Sequence, residues 1–203
     1  MFTKNIKFKN FITKKKSKNI KILRNFIKNK LLLKNYPLLK SLTNKFEYSF
    51  QKKKIKSFKK YQEVNLIGMG GSILGAEAIY DFLKYKVNKK FSFYNNLQIQ
   101  RVPKTNKKNI NLVISKSGNT LETVSNFNLL LQSQKKNKNV ILCEKKNNFL
   151  SLLAKKLKAE ILEHKNYIGG RYSVFSETGM LPAELMGLNE KKFKRFNYLI
   201  KNN

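Results

Sequence analysis

The chain has 203 residues, of which 44 are Lys or Arg and 11 are Asp or Glu, a formal net charge of +33 at pH 7. That length holds one domain of ordinary size with some excess, and 41% hydrophobic residues suffice for a packed core. One Cys and one His exclude an internal disulfide and argue against a structural zinc site within one chain.

A net charge this basic first suggests nucleic acid or an anionic membrane. The basic residues are nearly all Lys, however, and Asn, Ile, Phe and Leu are abundant while Trp is absent. That composition is the one expected from drift in an AT-rich genome. No helix-turn-helix signature, zinc-finger spacing or aromatic RNA-binding motif accompanies the charge, so no specific nucleic-acid partner is expected. No apolar run reaches the length of a membrane span, and residues 1–10 are basic without the apolar stretch of a signal peptide. With a single Cys, a reducing cytoplasm is the expected compartment.

Residues 1–60 carry 20 Lys plus Arg and one acid, Glu47. Within them Ile20, Ile22, Leu23, Phe26, Ile27, Leu31, Leu32 and Leu33 recur at spacings of one, three and four, which predicts an amphipathic helix. Pro37 breaks the pattern, a second helical stretch is expected over 38–48, and Lys-rich runs follow to Lys60. The region reads as a helical lead-in with a solvated basic face; a membrane-surface helix is the competing reading.

From Tyr61 the texture changes. Strands are expected at 64–67, 97–102, 110–115, 140–144 and 159–163, with helices at 73–86, 120–134 and 147–157 between them. This alternation predicts a mainly parallel, five-stranded sheet covered by helices on both faces. Cys143, inside the fourth strand, reads as a small core residue. A last helix is expected over 177–187, with Pro182 in its first turns, and residues 190–203 are Lys- and Asn-rich. In such sheets ligands sit at the carboxyl ends of strands near a topological switch point.

Three turns carry chemistry. Leu112 to Thr123 reads LVISKSGNTLET: a strand, a turn with Ser115, Ser117 and Thr120, then a helix. A helix N-terminus with unpaired N–H groups favours an anion, and three hydroxyls add donors; the plainer reading is a loop with Thr120 or Asn119 as N-cap. Gly68 to Gly75 reads GMGGSILG. It fails as a dinucleotide motif, because Ile73 stands where the third glycine belongs and the expected acid after the next strand is missing near Arg101. It fails as a Walker loop, since no Lys-Ser or Lys-Thr follows. What remains is a turn whose glycines admit a close backbone approach, with Ser72 at the next helix's start. Finally Gly169-Gly170-Arg171 sets an Arg on a flexible backbone, able to stabilise developing negative charge.

Together IGMGGSILG, SKSGNTLET and GGRYSVFSETGMLPAELMG, in that order, closely resemble glucose-6-phosphate isomerase (phosphoglucose isomerase) over residues 62–188. They match the first sugar-isomerase (SIS) domain of that family, a flavodoxin-like α/β fold. The resemblance implies that Ser115, Lys116 through its backbone, Ser117 and Thr120 cradle a sugar phosphate. It places Gly71 and Ser72 along the sugar and Glu122 in the pocket wall. Gly170 and Arg171 fall beside C1 and C2, with Arg171 holding the enediolate charge. The implied substrate is a hexose 6-phosphate, the reaction aldose–ketose interconversion, with no metal and no cofactor, in a homodimer when full-length.

The family's proton-shuttling glutamate, its ring-opening histidine and a later lysine belong to a second SIS domain. His164 lies outside the family's histidine motif, and Glu177 and Glu184 match no catalytic position. The expected organisation is therefore a basic helical segment at 1–60, a SIS domain at 61–189 and a basic tail at 190–203, the first part of a longer enzyme. The alternative is a SIS module that binds a phosphosugar without turning it over; a bifunctional phosphoglucose/phosphomannose isomerase is disfavoured by the GGRYSVFS segment.

Overall fold

The computed structural model describes residues 21–23, 25–26, 37–43, 45–97, 109–134 and 136–194. Two compact units divide the chain, residues 1–36 and 37–203. In the first, residues 21–23 and 25–26 are helical, with Ile22, Leu23 and Phe26 exposed; the rest of the amphipathic helix expected over 20–33 lies outside the described residues.

The second unit contains strands β1 (Glu63–Gly68), β2 (Lys90–Tyr94), β3 (Ile110–Ile114), β4 (Lys138–Cys143) and β5 (Glu160–Glu163). Its helices are α1 (Lys52–Ser57), α2 (Leu74–Leu83), α3 (Leu121–Ser133), α4 (Phe149–Lys156), α5 (Glu177–Leu185) and α6 (Glu190–Phe193). The strands form one five-stranded sheet in the order β2-β1-β3-β4-β5, and every pairing is parallel. That is the flavodoxin-like order, with a switch point between β1 and β3.

Strand residues alternate between two cores, as the period of two requires. Leu66, Leu112, Ile114 and Leu142 pack with Ile73 and Ala76 at the start of α2 and with Met180, Leu181 and Ala183 of α5. Ile67, Val113, Ile141 and Cys143 face the other way, against Phe127 and Leu130 of α3 and Leu150 and Ala154 of α4. Buried on both faces, the central strands read as apolar runs. One polar row interrupts them. Asn65, Asn111 and Asn139 are register partners, with Asn65 Nδ2 donating to Asn111 Oδ1 at 2.8 Å and Asn111 Nδ2 to Asn139 Oδ1 at 2.9 Å. A slip of one residue would turn these amides into an apolar core, so the row pins the register.

Two expectations are corrected. The second strand, expected over 97–102, is found at Lys90–Tyr94; Leu97 is outside any strand and 98–102 lie outside the described residues. It is an edge strand that alternates Lys90-Phe91-Ser92-Phe93 in place of an apolar run, and Phe91 and Phe93 are held by Tyr80 of α2 at ring distances of 5.4 and 5.5 Å. The helical stretch expected over 38–48 shrinks to a four-residue helix at Pro37–Lys40. Beyond it Phe46, Tyr48 and Phe50 have the two-residue period of extended chain, and Tyr48 stacks on Phe50 at 4.7 Å. Phe50, Ile55 and Phe58 enter the main core.

Candidate functional site

The Ser115–Thr120 turn leaves the carboxyl end of β3 and enters α3. Gly118 adopts φ +71, which reverses the chain so that three hydroxyls meet. Ser115 Oγ and Thr120 Oγ1 share a hydrogen bond of 2.9 Å, and Ser117 Oγ lies 3.4 Å from Thr120 Oγ1. Ser115 is buried and also accepts from the Gly118 N–H at 3.1 Å. Thr120 occupies the N-cap of α3 but makes no side-chain cap. Among the described residues, the backbone N–H groups of Lys116 and Ser117 make no hydrogen bond. The first turn of α3 also leaves its leading N–H groups unpaired, and the buried Thr123 Oγ1 has no partner. Converging hydroxyls, free amides and a helix dipole make this a place to hold an anion.

The glycine turn follows the adjacent strand. Gly68 is the register partner of Ile114, so the two turns start side by side at the switch point. Gly70, at φ +54, opens a single 3₁₀ turn, Gly70–Ser72. Gly71 touches backbone: a Cβ there would collide with Gly170 O and stand 3.0 Å from Arg171 N. Ser173 Oγ ties the pair together, donating to Gly170 O at 2.6 Å and Gly71 O at 3.2 Å. The Gly170–Tyr172 turn is thereby carried to the mouth of β1, with Arg171 exposed. Behind it, Val174 fits between Gly75 and Gly179. A Cβ on Gly75 would lie 2.7 Å from Val174 Cγ2, and one on Gly179 would collide with Val174 O.

The remaining candidates divide. Ser72 is half-buried at the start of α2, and Glu122 half-buried in the first turn of α3. The Lys116 side chain turns away, donating to Asn166 O at 2.7 Å and pairing with Glu144 at 3.6 Å. His164 is buried at the end of β5, its Nδ1 3.1 Å from Lys165 O and its Nε2 unpartnered; burial lowers its pKa, against the backbone hydrogen bond to Lys165, which raises it. Glu177 is 1% exposed and accepts from Ser49 N at 2.9 Å. Burial raises its pKa, outweighing its backbone hydrogen bonds. Glu184 joins a cluster with Lys52 and Glu190 beyond the turns. Among the described residues, no group of three or more His, Cys, Asp or Glu is placed to hold a metal.

Three residues support the turns, and sequence reasoning reached one of them, Asn119, only as a possible N-cap of α3. Asn148 packs on Gly118, where a Cβ would collide with its Oδ1. Asn119 Oδ1 accepts from Phe149 N at 2.8 Å. Ser173 locks the two glycine turns. Asn148 before an apolar run carries an N-cap signal; the others depend on contacts between distant segments and have no local signature.

A family model described as phosphoglucose isomerase matches residues 12–200. Glucose-6-phosphate isomerase of Methanocaldococcus jannaschii is 36% identical over 157 residues, 68% of this chain and 36% of that protein. The Borreliella afzelii enzyme of the same name is 31% identical over 173 residues, 71% of this chain and 32% of that protein. The chain thus spans about a third of the length of the curated relatives it matches. Among solved structures, a hypothetical protein of Thermus thermophilus superposes with a TM-score of 0.68 at 20% identity, covering 87% of this chain and 46% of that one. A tagatose-6-phosphate ketose/aldose isomerase of Escherichia coli gives 0.53 at 14% identity, covering 87% and 45%. Both structural likenesses speak to the fold.

Proposed function

We propose, since this chain belongs to the phosphoglucose isomerase family, that it supplies the phosphate-holding half of a site interconverting glucose 6-phosphate and fructose 6-phosphate through an enediolate. The observation that carries this is the uncapped start of α3, where Ser115, Ser117 and Thr120 converge beside free amides. In this reading those hydroxyls and the Lys116 N–H bind the phosphate. Gly71 and Ser72 line the sugar, and Glu122 lines the pocket. Gly170 and Arg171 stand beside C1 and C2, where the guanidinium stabilises the enediolate oxygens. No cofactor takes part. Residues 61–189 form the SIS module, with 1–60 and 190–203 as basic flanks, and the complete enzyme works as a cytoplasmic homodimer.

Isomerisation also needs a base to carry a proton between C2 and C1. Of the four candidates, Glu122 in the first turn of α3 does not match the family's base, while Glu177 is tied to Ser49, His164 to the Lys165 carbonyl and Glu184 to a remote cluster. The burial and engagement of these groups favours a chain that binds substrate and depends on a base from outside the described residues. A general base is worth about 10²–10⁴-fold, so the purified chain is expected to turn over fructose 6-phosphate slower than a normal isomerase by that order.

Calorimetric titration with glucose 6-phosphate tests the binding half. A Ser115→Ala/Thr120→Ala protein should bind about 10- to 100-fold more weakly, the value of hydrogen bonds to a charged group; unchanged affinity overturns the assignment. In a coupled assay of the full-length enzyme, Arg171→Ala should cripple turnover. A normal enzyme rate from the 203-residue chain would show that the base is already present.

A further inference from the structure

The amino edge of the sheet, opposite the turns described above, holds a second concavity. Lys54 and Phe58 from α1 and the turn after it, Lys60 and Tyr61 before β1, Lys138 at the start of β4 and Glu160 at the start of β5 line a cleft of about 270 Å³. That is room on the order of nine waters, too small for a drug-sized ligand and ample for one tetrahedral anion with part of its hydration.

Its charges do not cancel. Among the described residues Glu160 is the one carboxylate in the lining, and Lys54 Nζ already holds it at 3.0 Å. Lys60 Nζ lies over the Tyr61 ring, 5.4 Å from its centroid. Among the described residues, no carboxylate lies within ion-pair distance of Lys60 or Lys138. Two lysines from segments far apart in sequence therefore line one recess with no carboxylate paired to them among the described residues. A recess with protein walls strengthens their field on a ligand relative to the same charges on a convex surface. Phe58, buried in the main core, and Tyr61, packed against that core, form the apolar part of the wall.

We infer that this cleft is a second anion site, specific for a small phosphate dianion, whether free or as a phosphate monoester. Two lysines without a paired carboxylate match two negative charges, and the pre-formed Lys54–Glu160 pair excludes a third cation from the balance. The site stands apart from the α3 turn and does not depend on the activity proposed above.

The test is calorimetric titration of the Ser115→Ala/Thr120→Ala protein with inorganic phosphate and, separately, methyl phosphate at low salt. One residual site is expected. Adding Lys60→Met and Lys138→Met should weaken it by about tenfold or more, while Lys155→Met/Lys156→Met on the exposed face of α4 leaves it intact. Comparable affinity for methyl phosphate assigns monoesters; its rejection assigns free phosphate. Absence of residual binding, or equal weakening by the α4 pair, overturns the proposal. Should the double methionine protein fail to fold, phosphate-induced amide shifts at Lys60, Tyr61 and Lys138 in the otherwise native chain decide it, and their absence overturns it.

Discussion

Two helices begin close to one another at the carboxyl edge of the sheet, and they begin in opposite ways. At α4 every leading N–H is taken: Phe149 N by Asn119 Oδ1 at 2.8 Å, Leu150 N by Gly118 O at 3.0 Å, Ser151 N by Asn148 Oδ1 at 2.9 Å. The Ser151 hydroxyl answers by accepting from Asn148 N, completing a capping box. At α3 the residue in the same position, Thr120, spends its hydroxyl on Ser115 and leaves the helix uncapped. Both sequences carry good N-cap residues. What separates them is whether the cap residue's side chain looks into the helix or across the turn, and the open start of α3 is the one that the proposed function fills with a phosphate.

The strongest way to break this contrast is Gly118→Val. A Cβ at φ +71 is strained on its own account, and here it would also collide with Asn148 Oδ1. Both helix starts would have to shift, so urea denaturation should show a loss of about 3 kcal/mol together with loss of measurable glucose 6-phosphate binding. Near-native stability and affinity would mean that the two starts are not coupled through this glycine.

Thr120→Asp sharpens the contrast by closing α3. An N-cap carboxylate accepts from the first-turn amides and suits the dipole, for a gain of about 0.5 kcal/mol. The same charge repels phosphate, and affinity should fall by about 100-fold, roughly 2.7 kcal/mol. A protein made more stable and less able to bind is the signature expected of an open helix start; retained affinity contradicts it.

The smallest effect concerns Glu144, which lies between the two helices and pairs with Lys146 and Lys116. The hydrogen bond from Lys146 leads in lowering its pKa, with burial opposing and Lys116 assisting. Because the folded value lies below the unfolded one, the contribution is present above the ordinary carboxylate range and is lost as pH falls through the folded value. Between about pH 6 and pH 3 the native chain should lose stability that Glu144→Gln does not, by at most about 1 kcal/mol. Parallel melting curves for the two proteins would remove Glu144 from the account.

Much of this architecture is legible in the residues. Apolar runs at Leu112-Val113-Ile114 and Val140-Ile141-Leu142 mark central strands because those strands are buried on both faces. The turns after β1 and β3 are legible because glycines and hydroxyls cluster at a strand-to-helix junction. The edge strand β2 is not, since of its five residues Phe91 alone is buried and it lacks the apolar run of the central strands. Nor is the asparagine row: Asn65, Asn111 and Asn139 look like breaks in apolar strands until register aligns them. The grip of Gly71 on Gly170, and of Asn148 on Gly118, belongs to tertiary contacts that leave no periodicity in a single sequence.

The Gly71–Gly170 contact also orders events in time. The turn that places Arg171 lies about a hundred residues beyond the turn it leans on, and closing so long a loop costs entropy that must be met before the contact returns anything. The Ser115–Thr120 turn and the start of α4 are separated by about thirty residues and can be assembled from a much shorter length of chain. The shorter loop costs about 1 kcal/mol less to close, which favours earlier assembly of the Ser115–Thr120 turn than of the turn that carries Arg171.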